Sequence, residues 1–160
     1  MINIIKNLSG EKDPWLAQAR MFACVVRIEL EALVQINQLY LATHRVPPLY
    51  TSGVRYQSEP ANYIKLGNLL VRRAEEFAAI PAVLERGWGD CDDLGPWRCA
   101  ELRNSGEKAK MRVVWVKDKK TGEKKFHVLV RRANGAVEDP SHKLGMPLSK
   151  VGHMINERAT

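Results

Sequence analysis

Residues 87–94 read Gly87-Trp88-Gly89-Asp90-Cys91-Asp92-Asp93-Leu94. A cysteine stands among carboxylates, and isolated acids beside a thiol oppose its ionisation. The residues that follow resolve the conflict. Pro96-Trp97-Arg98-Cys99-Ala100-Glu101-Leu102-Arg103 reads as a helix closed by Asn104-Ser105-Gly106. Asp90 then fits the capping position before the first turn, and Asp92 and Asp93 suit the positive end of the helix dipole. The acids can point away from the thiol and serve the helix start. The unpaired first-turn N–H groups favour a thiolate and can donate to a substrate carbonyl oxygen. Gly87 and Gly89 let the backbone approach closely. Cys91 is therefore a candidate nucleophile. One irregularity follows: Gly95-Pro96 lies past the first turn, where proline removes a hydrogen bond and clashes with the turn before it. A kink or restart of the helix at Pro96 is expected.

A nucleophilic cysteine needs a base, and the base an orienting group. Met111 to Val116 is β-branched and aromatic and reads as a strand, as does Phe126 to Val130, with Asp118 to Lys124 as the turn. His127 sits inside the second strand. Ala133-Asn134-Gly135 is a tight turn, and Val137-Glu138-Asp139-Pro140 opens a third strand that Pro140 shortens. Cys91, His127 and Asp139, in that order on helix, strand and strand, are a chemically complete catalytic set. A two-residue turn at Asn134-Gly135 pairs Ala133 with Ala136 and faces Asp139 away from His127. A three-residue loop pairs Arg132 with Ala136 and puts the two on one face. The Asn-Gly pair favours the first, a glycine in third place suits the second, and the sequence leaves both open. His142 is a second candidate imidazole. No side-chain oxyanion donor directly precedes Cys91. Trp88 and Tyr56 are the candidates for substrate contact, although Trp88 and Trp97 also read as core. Cys99, about two turns further along the helix, reads as packing. His44 and His153 suggest no role.

Upstream, Asp13-Pro14 opens a helix that no Gly or Pro interrupts until about Thr43. Trp15, Ala19, Phe22, Val26, Leu30, Leu33, Ile36 and Tyr40 fall on a helical stripe, while Met21, Cys24, Val25, Ile28 and Val34 lie off it. A helix apolar over so much of its girth is buried centrally or binds another chain. At full length it would run about 45 Å and could break or project. Residues 15–43 are thus a candidate surface for a protein partner or self-association. His44 to Pro60 is a long irregular connection. Ala61 to Glu85 reads as helical in pieces, with Leu66, Leu69, Leu70 and Val71 on one face and a short turn opening at Pro81. From Gly145 the tail reads as a small helix or extended cap. Helices first and an antiparallel meander after make an α+β chain. Its 160 residues fit a single domain, residues 1–45 as a helical extension and 46–160 as the core.

Net charge is +7, with the excess between Lys108 and Arg132. These lysines suit a solvated hairpin edge. Aromatic residues are scarce among them, so a nucleic-acid partner is not expected. Three cysteines at uneven spacing form no disulfide framework and no zinc motif, and no metal or cofactor is expected. The first residues lack the apolar run of a signal peptide, and no segment reads as a membrane span. The expected setting is a reducing cytoplasm with free thiols.

The strings GDCDDL, FHVLV and EDPS together resemble the transglutaminase-like branch of the papain-like cysteine enzymes. The stretch Pro48 to Tyr56 and the run GWGDCDDLGPWRCAELR are similar to its small bacteriophage-encoded members. The resemblance covers about Pro47 to Ser141. It implies an α+β core with the Cys-bearing helix packed on a short antiparallel sheet. It also implies Cys91 as nucleophile, His127 as base and Asp139 as orienter, acting on a peptide or amide in a host cytoplasm or a virion. The long N-terminal helix and Gly95-Pro96 depart from the family pattern.

Overall fold

The computed structural model of the chain describes residues 14–59, 63–66, 69–72, 76–117 and 124–147. Helix α1, Pro14–Thr43, runs unbroken. Val26, Leu30, Leu33 and Val34 are buried along it. So is Asn37, whose Oδ1 accepts the backbone N–H of Ile80 at 3.0 Å. The inward stripe therefore passes through Asn37, while Ile36 is 55% exposed. From Val26, steps of four, three and four residues reach Leu30, Leu33 and Asn37, and they hold one face; Ile36 lies about 100° off it. The stripe positions Trp15, Ala19 and Phe22 lie outside the described side chains.

The connection after α1 holds one turn of 3-10 helix, Leu49–Thr51, and a two-residue strand β1, Arg55–Tyr56. Strands β2, Tyr63–Leu66, and β3, Leu69–Arg72, then form an antiparallel hairpin. This overturns the helical reading of Leu66, Leu69, Leu70 and Val71. Leu66 stands opposite Leu69, which leaves only Gly67 and Asn68 between the strands, and Gly-Asn is a hairpin pair. Helix α2, Ile80–Arg86, carries Pro81 in its first turn and ends on Gly87 at φ 73. Strand β4, Trp88–Gly89, pairs in parallel with β1.

Helix α3, Cys91–Asn104, continues through Pro96 without a break. The residue before a proline resists helix partly because its Cβ meets the proline ring, and Gly95 has no Cβ. Glycine there serves a second purpose. A Cβ on Gly95 would come within 2.8 Å of Val128 Cγ1 and 2.9 Å of Met111 Cε, so its absence lets α3 lie close on the sheet.

That sheet is β5, Lys110–Lys117, β6, Lys124–Arg131, and β7, Val137–Glu138, all antiparallel in that order. Val114 stands opposite His127 and Val130 opposite Glu138. The β6–β7 connection takes the three-residue form. Arg132 N–H donates to Ala136 O at 2.8 Å, and Gly135 adopts φ 86. A short helix α4, Pro140–Lys143, follows. The turn at 118–123, His153 and the tail beyond 147 lie outside the described residues.

Helices α1 and α3 share the sheet's core. Val26 and Leu30 pack with Val113 and Val128, and Val34 packs with Cys99, Ala100, Leu102 and Val130. Each buried Leu or Val contributes about 1.5–3 kcal/mol. Arg103 on α3 grips Glu31 on α1 through both terminal guanidinium nitrogens, Nη2 at 3.0 Å from Oε2. The chain is an α+β fold, and among the described residues no helix is long and apolar enough to cross a membrane.

Candidate active site

Cys91 is the first residue of α3. Asp90 caps the helix with extended backbone, and Asp90 and Asp93 form the reciprocal capping arrangement, Asp93 Oδ2 accepting the Asp90 N–H at 3.2 Å. The residue is half-buried and packs against the cluster of Val26, Leu30, Val113 and Val128. Burial pushes the thiol well above its ordinary range, and the charges of Asp92 and Asp90 add to this; the Val128 N–H works the other way. This corrects the expectation that the acids point away and leave the helix start to favour a thiolate. Asp92 and Asp90 act on the sulfur, and Cys91 rests as a neutral thiol.

The three carboxyls differ in how they are partnered. Asp93 is fully buried and ion-paired with Arg86, and it accepts the Ala78 N–H at 2.7 Å. Burial and the charge of Asp90 nevertheless push it up to about 7. Asp92 is 1% exposed, and among the described residues neither of its oxygens meets a conventional donor, nor does Oδ1 of Asp90. Burial, followed by a hydrogen bond with Asp90, pushes Asp92 up to about 11. At neutral pH Asp92 therefore keeps its proton, and its charge opposes the thiolate only at alkaline pH. One oxygen from each of the three acids lies within 4.8 Å of the others. These are the side chains that could hold a metal ion among the described residues, but the Arg86 cation already occupies Asp93.

His127 is 2% exposed, and its Nε2 lies 3.0 Å from Oδ2 of Asp139. Asp139 follows β7 directly and caps α4, its Oδ1 accepting the His142 N–H at 3.0 Å. Burial works against its charge, but the bonds from His127 and His142 prevail and hold it below the usual carboxylate range. A carboxylate at Nε2 fixes the proton there and leaves the lone pair on Nδ1. The three-residue loop thus brings His127 and Asp139 together. Cys91 is not joined to them: among the described residues no hydrogen bond links its sulfur to the imidazole, and it packs beside Val128, the next residue along β6.

Tyr56 is half-buried, with its hydroxyl 2.9 Å from Ser58 Oγ. Burial raises its phenol, and Cys91, Asp90 and Asp139 each raise it further. One ring therefore lies in the field of both ends of the set. Trp88 on β4 is half-buried under the Arg86 guanidinium, 4.0 Å from the ring centroid. Trp97 is wholly core. His142 directs Nδ1 to Met146 O at 3.0 Å, which ties it to its own turn. Cys99 is buried, and burial lifts its thiol to about 11. His44 stacks on Tyr40.

Glu138 is the supporting residue that sequence reasoning missed. It is 6% exposed and gathers the Tyr50 hydroxyl, Arg98 Nε at 2.8 Å and Lys143 Nζ at 3.2 Å. It anchors the strand that delivers Asp139. A carboxylate inside a strand of two residues leaves no pattern to read. No family model, no curated protein and no solved structure matches the chain.

Proposed function

We propose that the chain is a thiol-dependent amide hydrolase, a cysteine peptidase or amidase of the transglutaminase-like branch of the papain-like enzymes. The observation that carries the reading is the Asp139–His127 pair with Nδ1 left as acceptor, one residue from Val128, in the cluster that Cys91 packs against. Cys91 rests protonated, so His127 acts as a general base during attack rather than as half of a preformed ion pair. The sulfur adds to the substrate carbonyl, and its proton passes to Nδ1 of His127. The first-turn N–H groups of α3 face the developing oxyanion. His127 returns the proton to the leaving amine as the C–N bond breaks, which leaves an acyl-thioester. Water then gives the carboxylic acid and restores the thiol, whereas an amine would give transamidation. Tyr56 and Trp88 flank the approach. Free thiols suit a reducing host cytoplasm.

The test is a peptide-library digestion run beside incorporation of a fluorescent primary amine into a glutamine-bearing protein, with Cys91→Ala and His127→Ala as controls. Peptide cleavage lost in both controls supports hydrolysis, and amine incorporation lost in both supports transfer. No turnover, together with Cys91 reactivity unchanged in His127→Ala, would sink the reading. A second reading is a non-catalytic phage structural or assembly protein that keeps the fold and binds through α1. The exposed apolar side chains of that helix favour it.

A further inference from the structure

The outward face of α1 carries Val25, Ile28, Ile36 and Leu39, exposed by 47%, 59%, 55% and 68%. The helix buries Val26, Leu30, Leu33 and Asn37 on another side, so this apolar stripe is separate from the core. Its centre is Ala32, also exposed. Val25 and Ile28 stand seven and four residues before Ala32, and Ile36 and Leu39 stand four and seven after it. These offsets fall on one helical stripe, and the stripe reads the same from either end.

We propose that α1 pairs with α1 of a second copy of this chain, antiparallel, about a two-fold axis through Ala32. A self-complementary patch is what an isologous dimer requires. In that register Val25 lies against the partner's Leu39, Ile28 against the partner's Ile36, and the two alanines meet. The smallest side chain stands where the axes approach most closely. The flanks also agree. Glu29 and Gln35, three residues either side of the centre, meet across the axis as carboxylate and amide, and no like charges oppose. Gln35 is exposed and donates to Glu31 in the single chain, so its amide can turn outward. The area fits as well. Four side chains at about 100 Å² each give about 400 Å² of apolar surface per copy. A standard interface buries about 800 Å² per partner, of which somewhat over half is non-polar. This surface stands apart from the enzymatic reading and tests independently of it.

The experiment is sedimentation velocity of the full chain up to about 200 µM, above micromolar dissociation constants, beside disulfide trapping in a Cys24→Ser background. Concentration-dependent dimer is expected, and Ile36→Glu should abolish it while leaving the helical circular dichroism intact. Ala32→Cys lies on the axis and should cross-link to itself within minutes of oxidation. Val25→Cys and Leu39→Cys should cross-link only when mixed. A monomer at every concentration overturns the proposal and leaves the stripe to another partner. A dimer that survives Ile36→Glu, or Leu39→Cys linking to itself, overturns it too. Should Ile36→Glu fail to fold, the cysteine pairs decide alone.

Discussion

Cys91 packs against the cluster that contains Val128, the residue that follows His127 in β6. The candidate thiol and imidazole thus meet the sheet at adjacent positions of one strand. His127 pairs with Val114 and Val128 with Val113 of β5, so the separation of thiol and imidazole follows from how α3 packs on this hairpin.

The first expectation concerns reactivity. A thiol resting neutral beside a base should be alkylated slowly at neutral pH unless the base assists. His127→Ala and Asp139→Asn should each slow iodoacetamide labelling of Cys91 at pH 7 by about a hundredfold. Both should converge on the unmodified protein at alkaline pH, where the thiol ionises unaided. Site-resolved mass spectrometry reads this out, with the partly exposed Cys24 as an internal reference. Equal rates at pH 7 would remove His127 from the role of base.

The second concerns Asp92. Its carboxyl is raised from 3.8 to about 11 in the folded chain. Above pH 3.8 the unfolded chain releases this proton and the folded chain keeps it. The group therefore opposes folding more and more as pH rises through the neutral range. Asp92→Asn keeps the shape and the donor without that penalty. It should gain about 3 kcal/mol at pH 8 and almost nothing at pH 3, in urea titrations at each pH. A flat difference across pH would show that Asp92 is not the group that holds the proton.

Gly95 supports a packing prediction. Alanine there gains up to about 1 kcal/mol of helix propensity. Its Cβ would nevertheless stand 2.8 Å from Val128 Cγ1, a branched methyl with no free rotation away. The Met111 tip can yield; the valine cannot without shifting β6. Gly95→Ala should lose about 2 kcal/mol net and should slow Cys91 labelling as α3 lifts from Val128. A stabilised variant with unchanged labelling would mean that helix and sheet have slack at this point.

Glu138→Gln tests the anchor under Asp139. Burial works against the Glu138 charge, but the Tyr50 and Arg98 bonds prevail and hold its carboxyl low. Its contribution is therefore full above the unfolded value of 4.5 and disappears as pH falls through the lower folded one. Lys143 and Arg132 are too exposed to add much. The variant should be less stable by about 2 kcal/mol at pH 7, and the difference should shrink as pH falls below 4.5, as thermal melts across that range would report.

The helix of residues 14–43, the start of α3 and the β5–β6–β7 meander were legible in the sequence, as were Cys91, His127 and Asp139 as candidates, because these rest on local signals. Capping acids, β-branched runs and Gly or Pro punctuation act over a few residues. Three things were not legible. The β2–β3 hairpin was hidden because Leu66, Leu69, Leu70 and Val71 satisfy a helical spacing as well as a pair of strands, and only the Gly-Asn pair between them in sequence distinguishes the two. The course of α3 through Pro96 depends on Gly95 lacking a Cβ, an effect of one atom. The electrostatics of Cys91 depend on burial, and burial is decided by elements far away in sequence. Asp92 reads as an ordinary first-turn acid until the packing of distant elements buries it beside Asp90 and Asp93.

The loop at Ala133, Asn134 and Gly135 is exposed throughout. Loops of that kind ordinarily absorb insertions and deletions without harm. Here the form of the loop decides which side of the strand Asp139 meets. Closing it on Asn134 and Gly135 alone, with Ala133 opposite Ala136, would turn Asp139 away from His127 and Glu138 away from its partners in the same move. The most permissive-looking place on the surface is thus where the register that joins His127 to Asp139 is settled.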